Sequence, residues 1–379
     1  MSPAVDRDGP VEPRPDREAV PGSAGGRGTE RGNGGPQDAG RSGRRRRGGR
    51  GGRGERSMVP EATFTSYYGR PVVKPSPWEN DIPAYLFLGG LAAGSSLLGA
   101  GADLTGRPAL RTTGRIGALA GISLSMVALV HDLGKPSRFV NMLRVAKPTS
   151  PMSVGTWILT AYGTLAGAAA TAELVGRVGA LPGPLRLPAR LLAASGRPAG
   201  LGAGLVAPAV ASYTAVLLSD TATPSWHEAY RELPFVFVGS ASAASGGLGM
   251  IGSPVHEAGP ARRLAVGGAL LELAAEHRME QSMGLTAEPL HQGRAGTLMK
   301  ASKALTVVGA VGAALLGGRS RIAAALSGAA LVAGSACTRF AVFEAGQASA
   351  RDPRYTVVPQ RERLERRQAE EAERAGQAG

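Results

Sequence analysis

The polar opening of the chain gives way at Ile82 to apolar runs rich in Gly, Ala and Ser, separated by short polar breaks as far as about residue 344. A helix needs about 20 mostly apolar residues to cross a bilayer. Eight stretches meet that pattern: roughly 82–102, 114–132, 152–173, 201–219, 234–253, 263–281, 302–318 and 321–344. The sixth is the most polar, because it carries Glu272, Glu276 and His277. The seventh is short, and the stems of Lys300 and Lys303 can lengthen it by reaching toward the interface. Small residues let helices approach closely in lipid, and Gly90 and Gly94 form a GxxxG pair in the first stretch. Gly134 and Pro136 are stop signals for the second stretch, while Ser150 and Pro151 suit the N-cap and first turn of the third. The pattern predicts an all-α integral membrane protein with about eight transmembrane helices.

The flanks differ in kind. Residues 1–57 hold Gly, Pro, Arg and Ser with few large apolar side chains, too little to offset the entropy of ordering, so disorder is expected. Arg44–Arg47 and the following GGRGGRG resemble an arginine–glycine nucleic-acid tail. The preferred reading is a solvated tail drawn to anionic lipid, with no nucleic-acid partner. The arginine run precedes the first apolar stretch by about 35 residues, which is not a signal-peptide pattern. The expected division is a basic tail (1–60), a pre-membrane segment (61–81), a transmembrane domain (82–345) and a charged tail (346–379).

Charge refines this picture. The net charge is +14, and of 43 Lys and Arg, 15 fall in residues 1–77 and 7 in residues 346–379. Loop cations do not decide the orientation: with the N-terminus inside, the inner loops carry nine and the outer loops eleven. An even span number puts both basic tails on one side, and retention of cations in the cytoplasm predicts cytoplasmic termini in a plasma (inner) membrane. A single cysteine, Cys337, excludes an internal disulfide and a four-thiolate iron–sulfur cluster in this chain. All five histidines (131, 227, 256, 277 and 291) lie at span ends or in loops, which argues against paired axial ligands for a transmembrane haem. No metal site is expected.

Ionisable groups in or beside spans are costly and are candidates for function. The densest cluster is HDLGKPSRF (131–139), where His131 and Asp132 close the second span. An imidazole there can exchange protons near neutral pH beside a carboxylate that raises its basicity. The chain returns through TSPMSVGTW (149–157), bringing Trp157 back toward the depth of His131. A quinone headgroup needs such equipment, a proton donor or acceptor at each carbonyl and a flat apolar wall. The same residues fit an interfacial histidine capping a helix and an aromatic-belt tryptophan. A second cluster runs from Tyr213 through Asp220 to Trp226, His227 and Glu228. A third, Glu272, Glu276 and His277, fits a proton wire or an amphipathic edge with snorkelling charges. Arg339 and Glu344 in the last span suit a structural pair or a cation beside the quinone.

WENDIPAYLFLGGLAAG (78–94), HDLGKPSRF, TSPMSVGTW, YTAVLLSDTATPSW (213–226) and FAVFEAGQASARDPRYTVVPQR (340–361) together resemble the NrfD, or polysulfide reductase membrane-subunit, family over about 60–360. The resemblance implies an anchor of two four-helix bundles, without haem or cluster of its own. Such an anchor exchanges electrons between menaquinone or ubiquinone and a docked iron–sulfur subunit. That subunit serves a molybdopterin catalytic subunit of formate dehydrogenase, polysulfide or nitrite reductase type. His131 and Asp132 match the part of the motif that supplies polar groups to the quinone pocket; Tyr213 and Asp220 match more loosely. The long basic N-terminus departs from the family pattern. Two other readings stand beside this one: an ion or solute transporter, and a purely structural anchor.

Overall fold

The computed structural model describes residues 71–377 apart from 134, 136, 138 and 179–185. The basic tail and the stop signals at Gly134 and Pro136 lie outside the described residues. Every regular element among the described residues is a helix. In chain order these are α1 (Asp81–Leu104), α2 (Pro108–Asp132), α3 (Phe139–Met142), α4 (Pro151–Val178), α5 (Arg186–Ser219), α6 (Pro224–Glu228), α7 (Leu233–Gly252), α8 (Gly259–Met283), a 3₁₀ segment (Gly284–His291), α9 (Gly293–Leu315), α10 (Arg321–Arg351) and α11 (Arg354–Gln377).

The molecule is an all-α integral membrane protein. Seven of its helices, α1, α2, α4, α5, α7, α9 and α10, are long and apolar enough to cross a bilayer. The eighth long helix, α8, falls short because Arg262, Arg263, Glu272, Glu276, Arg278 and Glu280 lie along it. Composition counts those charges as exposed to lipid, whereas Glu272 and Glu276 are buried between helices. α4 begins at Pro151 as its cap signal predicts, with Ser150 Oγ accepting from the Ser153 N–H at 3.5 Å. α5 begins well before residue 201 and runs unbroken through Pro198 and Pro208. Prolines are tolerated in membrane helices when neighbouring groups take up the freed carbonyls.

α1 packs on α2 and α5, and α4 on α5; α7 packs on α8 and α10, and α9 on α10. α1 and α7 meet across the seam between these two sets and are the most enclosed of the seven apolar helices. The GxxxG pair explains the closeness: a Cβ on Gly90 would touch Ala241 and one on Gly94 would run into Ser245, both on α7. Two ends result. The near end gathers the start of α1, the α2–α4 connection, α6, the 3₁₀ segment and the end of α10. Hydrogen bonds between Glu79 and Asp132, Gln347 and Ser76, and Ser225 and Thr286 tie it together. The far end joins the end of α1, the start of α2, the end of α4 and the loops after α7 and α9.

Candidate functional site

At the near end, α1, α2, α4 and α5 leave an apolar cavity of about 210 Å³. Most of its walls are Leu, Ile and Met, and the polar groups facing it belong to Trp78, Tyr85, Asp132, Thr156 and Tyr213. A second apolar hollow of about 240 Å³ shares Leu129, Met142, Thr156 and Leu159 with the first and continues between α2 and α4 past Met126 and Gly163. Together they make a passage lined by hydrocarbon, with its polar groups at one end.

Each wall has a local cause. Asp132 ends α2, and its Oδ1 accepts from the Glu79 N–H at 3.5 Å, which ties the second helix to the segment before α1. Tyr213 reaches in from α5 because α4 has no side chain in its way: a Cβ on Gly155 would run into the Tyr213 ring. The Tyr213 hydroxyl makes no hydrogen bond among the described residues. Trp78 supplies the flat face. It stacks on Trp226 with ring centroids 5.9 Å apart, and Trp226 in turn packs on Phe343 at 5.6 Å. Trp226 is fully buried, donates its Nε1–H to Val342 O at 2.8 Å, and lies against Gly346, where any side chain would collide with the indole. Gln347 completes the clamp, donating from Nε2 to Ser76 O at 3.1 Å and Trp78 O at 3.2 Å. A wall of the first helix set is thus held from α10 of the second.

The sequence-predicted residues separate accordingly. Asp132 and Tyr213 come together on the cavity. His131 stands beside it with its side chain 79% exposed, and its Nδ1 lies 2.7 Å from Asp81 Oδ2. The carboxylate bonded to the imidazole is therefore Asp81, not the adjacent Asp132, because successive residues of a helix point about 100° apart. Trp157 does not face the cavity: it is 43% exposed and its indole donates to Val145 O at 3.4 Å. Asp220 lines a different hollow of about 420 Å³ with His227, Glu228, Tyr355 and Arg363. His227 Nδ1 there meets Ser219 O at 3.0 Å, Arg363 pairs with Glu228 at 2.6 Å, and burial pushes the Tyr355 phenol above the usual tyrosine range.

The third cluster also divides. Glu272 and Glu276 are both buried on one face of α8, but His277 points outward and bonds Gln281 at 2.9 Å. Glu272 Oε1 accepts from Thr338 Oγ1 at 2.7 Å, and Thr338 bonds Ser302 at 2.6 Å. Glu276 lies 3.9 Å from Lys303, which bonds Glu280 at 2.7 Å, and Glu280 lies 3.9 Å from His291. The polar chain from Glu272 toward the near end therefore passes through Lys303 and Glu280, not His277. Glu272 Oε2 and Glu276 Oε1 have no hydrogen-bond partner. Arg339 and Glu344 do not pair: Arg339 donates to Phe237 O at 2.7 Å and stacks 3.7 Å from the Phe237 ring centroid, while Glu344 meets Arg294 at 3.1 Å. Five residues along a helix put the two side chains on different faces.

Sequence reasoning missed Trp78 as the wall, Asp81 as the partner of His131, and Gln347 as the clamp. Trp78 and Asp81 both stand in the WEN-D segment ahead of the first span, a cluster of polar and aromatic residues at a membrane edge that offers a usable signal. Gln347 carried none, since its role depends on a contact 269 positions away in sequence.

Residues 72–252 match the family described as Polysulphide reductase, NrfD, and this region holds every residue lining the two hollows. No curated protein matches the chain. With the helices, the cavity and the matched region in agreement, residues 72–252 are similar to the polysulphide reductase NrfD family.

Proposed function

We propose that this chain is the quinone-reactive membrane subunit of a multi-subunit oxidoreductase. It exchanges electrons between menaquinone or ubiquinone and an iron–sulfur protein docked at the near end. That protein serves a molybdopterin catalytic subunit of the polysulfide, nitrite or formate type. The observation that carries this reading is the apolar passage ending at Asp132, Tyr213 and the Trp78 indole. Reduction of a quinone takes two electrons and two protons and leaves a hydroxyl at each former carbonyl. Asp132 and the unbonded Tyr213 hydroxyl are placed to exchange protons with the ring oxygens, Trp78 offers a stacking face, and the hollow between α2 and α4 suits an isoprenoid tail. The exposed His131–Asp81 pair lies next to Asp132 and connects it to solvent protons. Both termini lie in the cytoplasm on this reading, since α1 begins and α10 ends at the near end and retention of cations in the cytoplasm favours the side of the basic flanks.

Asp132→Asn tests the assignment. A well-placed proton donor is worth about 10²–10⁴-fold in rate. Quinone-linked turnover should fall by that order while turnover with an artificial dye, in membranes of equal subunit content, stays unchanged. Equal loss of both rates, or loss of neither, would remove Asp132 and its cavity from the chemistry.

A second reading draws on the buried charges of α8 and α10. Glu272, Glu276 and Arg339 between membrane helices suit a transporter, or a proton path serving the quinone site. Bound quinone in the lipid extract of the purified protein supports the first reading. Solute-driven ion flux in vesicles containing this chain alone supports the transporter.

A further inference from the structure

The far end of the first helix set holds a larger cavity, about 730 Å³, that the electron-transfer reading does not use. Asp103 of α1, Arg111, Thr112 and Arg115 of α2, Glu173 and Arg177 of α4 and Arg197 of α5 face it. Four guanidinium groups thus surround two carboxylates. Glu173 takes Arg111 at 3.0 Å, Arg115 at 3.1 Å and Arg177 at 4.0 Å, and Asp103 takes Arg111 at 3.3 Å and Arg115 and Arg197 at 3.6 Å. Thr112 Oγ1 donates to Glu173 at 2.6 Å and accepts from Arg177 at 2.6 Å. Four cations share two carboxylates, with Arg111 and Arg115 closest to Glu173, and two positive charges remain in excess.

The excess is not spread evenly. Arg115 is only 8% exposed, and its Nε–H has no hydrogen-bond partner. Arg177 and Arg197 reach the cavity from its outer edge with their side chains more than half exposed. A buried donor without a partner costs about 1–3 kcal/mol, more when charged, so an acceptor at this position would be stabilising. The planar guanidinium fork matches the paired oxygens of a phosphate, the anionic group that membrane lipids carry. Leu174, Leu187 and Leu191 are exposed on the same ends of α4 and α5, as expected where acyl chains lie beside a headgroup site.

We propose that this cavity binds a phosphate-bearing anion, either the headgroup of an anionic phospholipid or free phosphate, held by Arg115, Arg177 and Arg197. The site is independent of the quinone reading and lies at the opposite end of the same four helices.

The test is thermal unfolding of the purified full-length protein in neutral detergent with phosphatidylglycerol, phosphatidylcholine or inorganic phosphate added. It compares the parent, Arg177→Gln/Arg197→Gln, and Arg190→Gln as a neighbour outside the cavity. Phosphatidylglycerol should raise the parent Tm and phosphatidylcholine should not. Removing two of four cations should abolish roughly half or more of that rise, and Arg190→Gln should keep it. The arginines of residues 44–53 are common to every variant, so only the difference reports on the cavity. If millimolar phosphate alone produces the same variant-dependent rise, free phosphate is the occupant; if phosphate is inert, the lipid is. Should the double variant not fold, Arg197→Gln alone, the most exposed of the three, must still weaken the rise. Equal stabilisation of parent and variants, or none by either anion, overturns the proposal.

Discussion

The two helix sets handle charge in opposite ways. Around α1, α2, α4 and α5 the ionisable groups sit at the ends, with Asp132 and His131 at one and the Asp103–Glu173 arginine cluster at the other, and an apolar hollow opens at the near end. Around α7 to α10 the charges go inside: Glu272 of α8 and Arg339 of α10 are each 1% exposed. The first arrangement makes room for an apolar ligand. The second leaves no inert filling, since a buried charge must be balanced by its neighbours or abandon its ionised form. One set encloses an apolar hollow and the other a polar interior, joined where Gln347 of α10 and Trp226 of α6 hold Trp78.

The largest expected effect breaks the second set. Arg339→Ala leaves Glu272 without its neighbouring cation and opens a void, which should cost about 3–5 kcal/mol. The measurement is the yield of folded protein in the membrane fraction and its Tm. Arg339→Met combined with Glu272→Gln should recover much of that loss, because it removes both charges. If Arg339→Ala behaves as the parent, the two residues are not coupled and the interior of this set is not electrostatically balanced.

Next comes the joint between the sets. Gln347→Leu removes two hydrogen bonds, each worth about 0.5–1.5 kcal/mol, and frees the Trp78 wall. The expected outcome is a rise of about tenfold in KM for quinone, from roughly 1.4 kcal/mol, with dye-linked turnover unchanged and Gln347→Asn intermediate. An unaltered KM would show that the first set shapes its cavity alone. His131→Ala should do less than Asp132→Asn, since the imidazole is exposed and stands behind the carboxylate. A loss equal to that of Asp132→Asn would put His131 on the quinone itself. The smallest effect belongs to Trp157→Ala. An exposed side chain off the cavity should change stability by no more than about 0.5 kcal/mol and leave quinone-linked turnover as it was. A large loss there would return the aromatic wall to Trp157.

Legibility followed the same division. The apolar periods that made the helices visible depend only on local composition, so α1, α2, α4 and α7 appear in the sequence close to their true bounds. α5 is longer than the apolar 201–219 stretch because the helix continues through Pro198 and the arginines at its start. Asp132 was visible as a polar residue at a span end, and Tyr213 as the start of a cluster running to the end of the fourth stretch. Trp157 returns to the depth of His131, but depth says nothing about which way a side chain faces.

The sequence by itself determined that this chain enters a membrane on apolar helices and where its costly polar groups fall along them. Those properties come from nearest neighbours and the 20-residue scale of the bilayer. Only the tertiary structure decided which carboxylate meets His131, which tryptophan walls the cavity, and that Lys303 rather than His277 continues from Glu276. Rotation about the helix axis sets those partnerships. A helix turns by about 100° per residue, so neighbours in sequence face apart, and only the packing of one helix against another selects the face that is used.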